Sequence, residues 1–424
     1  MEGPPTTGEG AEPTGLGLLR ASILTVGARG AGVLLSVATG VVVARALGPV
    51  GKGALSYLST LTTLSARAAS LGLEGAFTHV HHVHHVDRGV AIGTLVRSIT
   101  VLGVAAAALA QLAVSAFPGV TAGLPVTLVR ASLATVPAAM LVSVFSFVLF
   151  GLHRERAFAA FDIGYRGFTL ALQGLVLVLI GRELAPVVWG QVITTVVFAA
   201  LALAILWRAA GCRFAWSAPV AGQMARFGVG YFAYTTVRYA LVYGGVLMSA
   251  WYLSVADAGV FSVAQMIVEV IALLSGSVNL AFYPAVAGSR DPHAYTRTTA
   301  LRLSLVSAVA GGALAVLAGP AVGLLYGVAF VAAVPAFLWM LPGAVLLTAE
   351  QTVSSYLATT QRLWPATLAL SLGVVAQLAL AMLLAPRYGL AGLGVAVSTG
   401  QAVATGGVSV AFARVGASGP VRDR

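Results

Sequence analysis

The sequence carries little charge and almost no cysteine. Only 9% of its 424 residues are Asp, Glu, Lys or Arg, whereas 59% are hydrophobic and the mean hydropathy is +0.95. Soluble domains contain about 25% charged residues, so a water-soluble core is excluded. The single cysteine, Cys212, excludes an internal disulfide and any metal centre built from several cysteines. The chain is therefore expected to be an integral membrane protein.

Other absences narrow the function. No G-x-x-x-x-G-K-[ST] pattern occurs, so the chain has no P-loop with which to hydrolyse ATP. The spacing suggests no Ser/His/Asp arrangement, and the clustered acids and large outer loop usual in membrane glycosyltransferases are missing. The basic residues are dispersed, which argues against binding nucleic acid. We expect a protein that is not an enzyme and that needs no cofactor or metal.

Apolar runs of about 20 residues recur along the chain, a length that crosses a bilayer as a helix. A barrel would show short alternating segments instead. The pattern predicts an all-α membrane protein with about twelve transmembrane helices, six in each half. The predicted spans are 20–43, 54–75, 91–115, 124–150, 159–180 and 186–207, then 227–253, 259–283, 300–325, 330–358, 365–385 and 390–413.

Two stretches of the chain resemble each other at an offset of 206 residues. VVVARALGPVGKGALS at 41–56 and WYLSVADAGVFS at 251–262 align Gly53 with Gly259. Weak internal repeats are typical of transporters, and an even number of helices per half predicts a pseudo-two-fold axis along the membrane normal. The predicted divisions are a disordered cytoplasmic tail 1–15, an N-terminal six-helix bundle 16–210, a cytoplasmic linker 211–225, a C-terminal six-helix bundle 226–414 and a cytoplasmic tail 415–424.

The distribution of basic residues predicts the orientation. With the N-terminus inside, sixteen of the 24 Lys and Arg residues, Arg166 among them, fall in cytoplasmic segments. Four, including the only lysine, Lys52, fall in short outer loops. An excess of basic residues on one side marks the cytoplasmic face, so both termini are expected to be cytoplasmic.

Four arginines, Arg29, Arg67, Arg130 and Arg238, fall within predicted spans. A charge at mid-bilayer costs at least about 2.5 kcal/mol, so each should face protein, water or an anion. A guanidinium binds a diphosphate in bidentate fashion, which would suit a substrate cavity. The alternative is that each arginine pairs with a carboxylate or extends to the membrane surface.

The deepest acids are Glu269 and Glu350. They could take up protons and couple ions, or they could neutralise Arg29 or Arg238, and we favour charge pairing. The stretch HVHHVHH at 79–85 holds five of the seven histidines. It falls in the loop predicted between the second and third spans, without cysteine or clustered carboxylates. We expect it to form a polar cytoplasmic rim rather than a metal site.

Five fragments carry a family resemblance that extends from Leu16 to about Arg414. They are ARALGPVGKGALS at 44–56, SVADAGVFSVAQ at 254–265, AFYPAVA at 281–287, LLYGVAF at 324–330 and PRYGLAGLGVAVS at 386–398. In order and spacing the chain resembles the polysaccharide-type flippases, including O-antigen flippases, of the multidrug/oligosaccharidyl-lipid/polysaccharide exporter superfamily. One departure is that no Asp follows Arg238, where relatives often carry one, so no ion-coupling role is transferred to that helix.

The resemblance implies a flippase of the bacterial cytoplasmic membrane. It would translocate a polyprenyl-diphosphate-linked oligosaccharide by alternating access, through a cationic cavity lined by the first, second and seventh helices. Its expected partners are this lipid-linked substrate and membrane lipid, with a glycan polymerase or glycosyltransferases left open. One alternative is an ion-coupled small-molecule or multidrug antiporter, which predicts an acidic cavity. Another is a non-transporting membrane scaffold of glycan synthesis, in which the buried arginines would be dispensable.

Overall fold

The computed structural model describes residues 15–83, 86–152, 154–211, 213–287, 289, 291–360 and 363–417. Over these ranges the regular structure is entirely helical. Two 3-10 turns, at Pro118–Thr121 and Val328–Phe330, follow helices α3 and α10. The α-helices are α1 Gly15–Ala69, α2 Leu73–Val83, α3 Arg88–Ala116, α4 Val126–Ala134, α5 Val136–Gly151, α6 Glu155–Leu179, α7 Leu184–Ala209, α8 Ala218–Tyr252, α9 Val255–Ala287, α10 Pro292–Leu325, α11 Ala333–Thr359 and α12 Leu363–Ala417.

The first and last helices are each long enough to cross a membrane twice. Both α1 and α12 contain 55 residues, about 80 Å if straight, against a hydrocarbon thickness of about 30 Å. Each bends at a glycine with positive φ, Gly48 (φ 66°) and Gly389 (φ 59°), a conformation that side chains disfavour. The two predicted spans at each end of the chain therefore lie on either side of a bend.

Nine segments of the described chain are long and apolar enough to span a membrane. Two of them, Gly30–Ala69 and Leu363–Val415, contain such a bend, and the 35-residue helix α8 falls outside the nine. The prediction of an all-α, multi-pass membrane fold is confirmed. The number twelve and the pseudo-two-fold relation of the halves stay predictions.

The second predicted span, 54–75, extends past the end of the helix. Helix α1 ends at Ala69, and Leu71 and Gly72 have positive φ angles of 48° and 71° before α2 begins. Helix α8 crosses here so closely that a Cβ on Gly72 would overlap the carbonyl oxygen of Gly228. Helix α2 then continues to Val83. The histidine stretch was predicted to lie in a loop, and this prediction is wrong for residues 79–83, which are helical. His84 and His85 lie outside the described residues.

Two further boundaries differ from prediction. The fourth span is broken at Thr135, because Pro137 has no N–H to continue the helical hydrogen bonds. Helix α8 begins at Ala218 with Pro219 in its first turn, so much of the predicted linker 211–225 is helical. The predicted tails lie outside the described residues except for Gly15 and 415–417.

The buried apolar side chains separate largely by half. The largest cluster, which includes Tyr57, Phe77 and Phe145, comes mainly from α1 to α7. Two others, centred on side chains such as Phe261 and Leu370, come almost wholly from α8 to α12. Each half thus packs mostly on itself, although the division into two bundles stays a prediction.

The halves meet where α1 packs against α9, through the two aligned glycines. A Cβ on Gly53 would overlap the carbonyl oxygen of Val255, and a Cβ on Gly259 would overlap that of Pro49. The two contacts are reciprocal, because 255 and 259 follow 49 and 53 by the same 206 residues. Glycine allows helix backbones to approach this closely in a membrane. A two-fold relation between the halves would produce this pattern of contact.

Candidate substrate cavity

A polar cavity lies beside α1 and is lined by residues on both sides of its bend. One part, of about 300 Å³, lies between α1, α8 and α9, and another, of about 200 Å³, lies between α1, α6 and α7. The two parts share Ser36, Lys52, Leu55 and Ser59, so they adjoin along one face of α1. A third space of about 80 Å³ continues from the second toward α4 and α5. Hydroxyl and amide groups from both halves therefore line one continuous polar region.

Lys52 lies at the centre of this region and lines both larger parts. Its predicted place in an outer loop is wrong, because the helix resumes at Pro49, directly after the Gly48 bend, rather than at residue 54. Proline is favoured in the first turn of a helix, and that signal could have located the helix start. The ammonium group interacts electrostatically with Glu269 on α9, across the junction of the halves.

Glu269 lies on the α9 side of the same cavity. Tyr243 hydrogen-bonds to its carboxylate, and Lys52 and Arg166 are within electrostatic reach. The ring of Tyr243 stacks on that of Tyr239, with centroids 4.3 Å apart and an interplanar angle of 29°. The acid therefore faces cations from the first half of the chain and an aromatic pair from the second.

Arg166 on α6 also lines the cavity, so it lies within a helix rather than in a segment between helices, and its predicted cytoplasmic side stays a prediction. Its Nε lies 3.1 Å from both carboxylate oxygens of Asp162, and its Nη1 donates to the Ser36 hydroxyl at 2.6 Å. Gly32 makes room for the pair, since a Cβ there would lie 2.7 Å from an Asp162 oxygen. The i, i+4 spacing of Asp162 and Arg166 was a readable signal of this pairing.

The structure brings together two of the predicted site residues, Arg238 on α8 and Glu350 on α11. Arg238 Nε lies 3.2 Å from Glu350 Oε2, and the other carboxylate oxygen accepts hydrogen bonds from Tyr234 and Ser354 at 3.2 and 2.6 Å. The Glu350 side chain is 0% exposed and that of Arg238 is 25% exposed. The guanidinium therefore neutralises a sealed carboxylate and keeps one edge accessible.

The other predicted arginines are scattered. The backbone of Arg29 belongs to α1, but its side chain lies outside what the structure describes. Arg67, in the last turn of α1, interacts electrostatically with Tyr239 at the edge of the cavity. Arg130 is exposed on α4 and donates to Ser115 at 3.0 Å, so it does not line the cavity.

Glutamine side chains add unpaired polar groups to the walls. Gln265 is 4% exposed, and neither its amide oxygen nor its nitrogen has a hydrogen-bond partner. Gln173 donates to Gln191 at 3.0 Å, while its own oxygen is unpaired. Sequence reasoning missed these residues, because a lone glutamine in an apolar run does not reveal which way it faces.

The described part of the chain contains no group of three or more His, Cys, Asp or Glu side chains placed to hold a metal ion. Within the histidine stretch, His81 stacks on Phe77 and its Nδ1 lies 3.1 Å from the carbonyl oxygen of Val86. This histidine is engaged in local packing.

The fold and the central cavity define the class of protein. A multidrug-resistance MATE family transporter of the MOP superfamily, in an inward-facing conformation, superposes with a TM-score of 0.72 at 16% identity, over 91% of this chain and 95% of that one. The lipid II flippase MurJ superposes with a TM-score of 0.71 at 12% identity, over 93% and 87%. A MOP superfamily transporter from Pyrococcus furiosus gives 0.62 at 16% identity, over 95% of both chains. The chain has the fold of the MOP-type transporters and flippases.

The family follows from the sequence itself. Residues 42–335 match the family model described as polysaccharide biosynthesis protein. The chain belongs to this family, and the predicted family resemblance is confirmed. No curated protein matches the chain.

Proposed function

We propose that this protein is a flippase that translocates a polyprenyl-diphosphate-linked oligosaccharide across the bacterial cytoplasmic membrane. The polar cavity at the junction of the halves supports the proposal most directly. Lys52 and Arg166 bring two cationic groups from α1 and α6 to one space. Charge-assisted hydrogen bonds to phosphate are stronger than neutral ones, so these groups would hold the diphosphate.

The remaining walls suit a carbohydrate. The unpaired amide of Gln265 and the hydroxyls of Ser262 and Ser56 line the part of the cavity next to α9. A buried amide without a partner carries a desolvation cost that a sugar hydroxyl would remove. The stacked rings of Tyr239 and Tyr243 add flat apolar surface against which a sugar ring could lie.

Alternating access would follow from movement of the halves about the α1–α9 contact, as in transporters built from repeats. The lipid tail would remain in the bilayer while the headgroup crosses through the cavity. Without a nucleotide-binding motif, an ion gradient or the membrane potential would drive the cycle. Glu269 is our candidate for ion coupling, because it faces Lys52 across the junction. Both termini would lie in the cytoplasm.

A second candidate function is an ion-coupled small-molecule antiporter. It is favoured by the carboxylates in the cavity region, since Glu269 faces Lys52 and Asp162 binds Arg166. A cationic drug would then compete with the cations for these acids. A non-transporting scaffold has no comparable support, because it needs no polar cavity.

The test is glycan export in a cell that lacks its own flippase and makes the glycan of this protein's pathway. We expect the wild type to restore export and Lys52→Gln to reduce it about ten- to a hundredfold, the value of a charge-assisted hydrogen bond. Lys52→Arg should retain most export. Arg130→Gln, outside the cavity, is the matched control.

Normal export by Lys52→Gln at equal expression would overturn the cavity assignment. Wild-type cells that resist cationic drugs but export no glycan would instead support the antiporter. Arg29→Ala and Arg238→Ala belong in the same series, as tests of the two arginines predicted from the sequence.

A further inference from the structure

A second cationic cavity lies away from the central one, at the predicted cytoplasmic end of the first half. It has a volume of about 500 Å³, and Arg88, Arg154 and Arg208 line it together with Ile205, Ala209 and Gly211. The arginines come from three separate places, which are the start of α3, the junction of α5 and α6, and the last turn of α7. The fold therefore assembles three guanidinium groups around one space.

These guanidinium groups are not neutralised within the described part of the chain. Their side chains form no hydrogen bond or ion pair with other described residues, and the Nε of Arg88 is buried without a partner. One carboxylate oxygen of the neighbouring Asp87 accepts the backbone N–H groups of Gly89 and Val90 at 2.9 and 3.2 Å and caps α3, and within the described residues this carboxylate forms no ion pair with the three arginines. Three like charges around one cavity repel each other unless an anion joins them.

Local helix structure does not explain the cluster either. Arg88 is the first residue of α3, and Arg154 is the N-cap of α6. A helix N-terminus carries a partial positive charge, so it disfavours a cation and favours an anion. Only Arg208, in the last turn of α7, lies at a helix end that favours its charge. Two of the three arginines that line the cavity thus lie at helix N-termini, where the helix dipole does not stabilise a cation.

Aromatic residues beside this cavity are of the kind found at a membrane surface. Trp207, adjacent to Arg208, is 43% exposed and packs edge-on against Phe214 with centroids 4.9 Å apart. Tryptophan is enriched at the level of the lipid headgroups. Basic pockets between transmembrane helices on the cytoplasmic side bind phosphate-containing headgroups.

We propose that Arg88, Arg154 and Arg208 form a binding site for the phosphate of an anionic phospholipid from the surrounding membrane. The site holds together the ends of α3, α6 and α7, and it does not depend on which substrate the central cavity carries. A soluble phosphate has the same charge chemistry, so the experiment must separate the two sources.

The experiment uses the full chain, purified in detergent and titrated with phosphatidylglycerol, phosphatidylcholine or inorganic phosphate. Thermal stability gives the affinity, and native mass spectrometry counts the lipids that stay bound. We expect phosphatidylglycerol to stabilise the wild type, with its affinity falling about fivefold for each of Arg88→Gln, Arg154→Gln and Arg208→Gln. Arg156→Gln is the control, because Arg156 is exposed two residues from Arg154 and does not line the cavity.

Two results would overturn the proposal. One is equal retention of phosphatidylglycerol by the wild type and the variants. The other is stabilisation by inorganic phosphate as large as that by the lipid, which would assign the cavity to a soluble anion. If Arg88→Gln or Arg208→Gln fails to fold, Arg154→Gln alone decides, since the side chain of Arg154 is exposed.

Discussion

Two arginine–carboxylate pairs share one chemistry and occupy different surroundings. Arg238–Glu350 joins α8 to α11, with the carboxylate 0% exposed and held by two hydroxyls as well. Arg166–Asp162 lies within α6 beside the central cavity, with side chains 37% and 20% exposed. The first pair is enclosed between helices of the second half, and the second pair faces a space that a ligand can reach. Exposure of the carboxylate separates a structural pair from one able to exchange partners.

The largest expected effect comes from breaking the sealed pair. Glu350→Gln removes the negative charge and leaves the guanidinium of Arg238, which is only 25% exposed, without its counter-ion, so the free energy of unfolding should fall by about 3 kcal/mol, the lower end of the range for a buried pair. Thermal unfolding in detergent would measure the loss. A stability within about 1 kcal/mol of the wild type would show that Arg238 has another counter-ion, and the two pairs would then be alike.

Replacing both members of the sealed pair sharpens the comparison. Arg238→Met with Glu350→Leu removes both charges at similar volume, and such replacements are often neutral or stabilising. We expect part of the lost stability to return, because the unpaired charge is gone while the buried hydroxyls of Tyr234 and Ser354 still lack their acceptor. Glycan export then tests Arg238 itself: restored export would make this arginine purely structural, whereas continued loss in a stable protein would make it a substrate ligand.

A smaller effect on stability is expected at the cavity pair. Asp162→Asn breaks a partly exposed i, i+4 pair, so the free energy of unfolding should change by at most about 1 kcal/mol. Export should nevertheless change, because the variant frees Arg166 from its carboxylate at the cavity wall. The ratio of export to folded protein measures this. A large loss of stability would contradict the distinction between the pairs.

The smallest effect is expected at the aromatic pair. Tyr239→Phe keeps the stacked ring and loses only the hydroxyl, so export should stay close to that of the wild type. Tyr239→Ala removes the stack, worth about 0.5–1.5 kcal/mol, or two- to tenfold in apparent substrate affinity. Export measured against substrate level would show the difference. Equal effects of the two variants would mean that the hydroxyl, and not the ring, contacts the substrate.

The membrane spans could be predicted from the sequence, because a long apolar run is typical of a transmembrane helix. The helix breaks within these spans were harder to predict. The helix break before Pro137 can be predicted from the proline itself. The helix break at Gly72 depends on the close crossing of α8 at Gly228, which lies far along the chain. Lys52 was predicted to lie in a loop because the predicted helix began at residue 54, five residues after Pro49. A lysine flanked by glycines is typical of a loop, but here it lies within α1.

The candidate site was harder to predict than the fold. Sequence reasoning identified Arg238 and Glu350 as buried charges and favoured charge pairing, but it left Arg29 and Arg238 open as partners of the acids, because residues 112 positions apart do not reveal which pair meets. It could not select Gln265, since its environment is set by α1 and α8 rather than by its neighbours in α9. Charges stand out in an apolar chain wherever they lie, whereas neutral polar residues are informative only once the facing helices are known.

The reciprocal contact of Gly53 and Gly259 has a consequence for mutational tolerance. Each position is closed to any Cβ by the backbone of the opposite helix, so both admit only glycine although they lie 206 residues apart. Gly312 on α10 has no neighbouring atom within 4 Å of a Cβ and is open to replacement by alanine. If every substitution is made at each position and functional variants are selected, nearly all variants at Gly53 and Gly259 should be eliminated. Small substitutions at Gly312 should survive the selection. Duplicated halves would in this way keep one position in common long after the rest of their sequences had diverged.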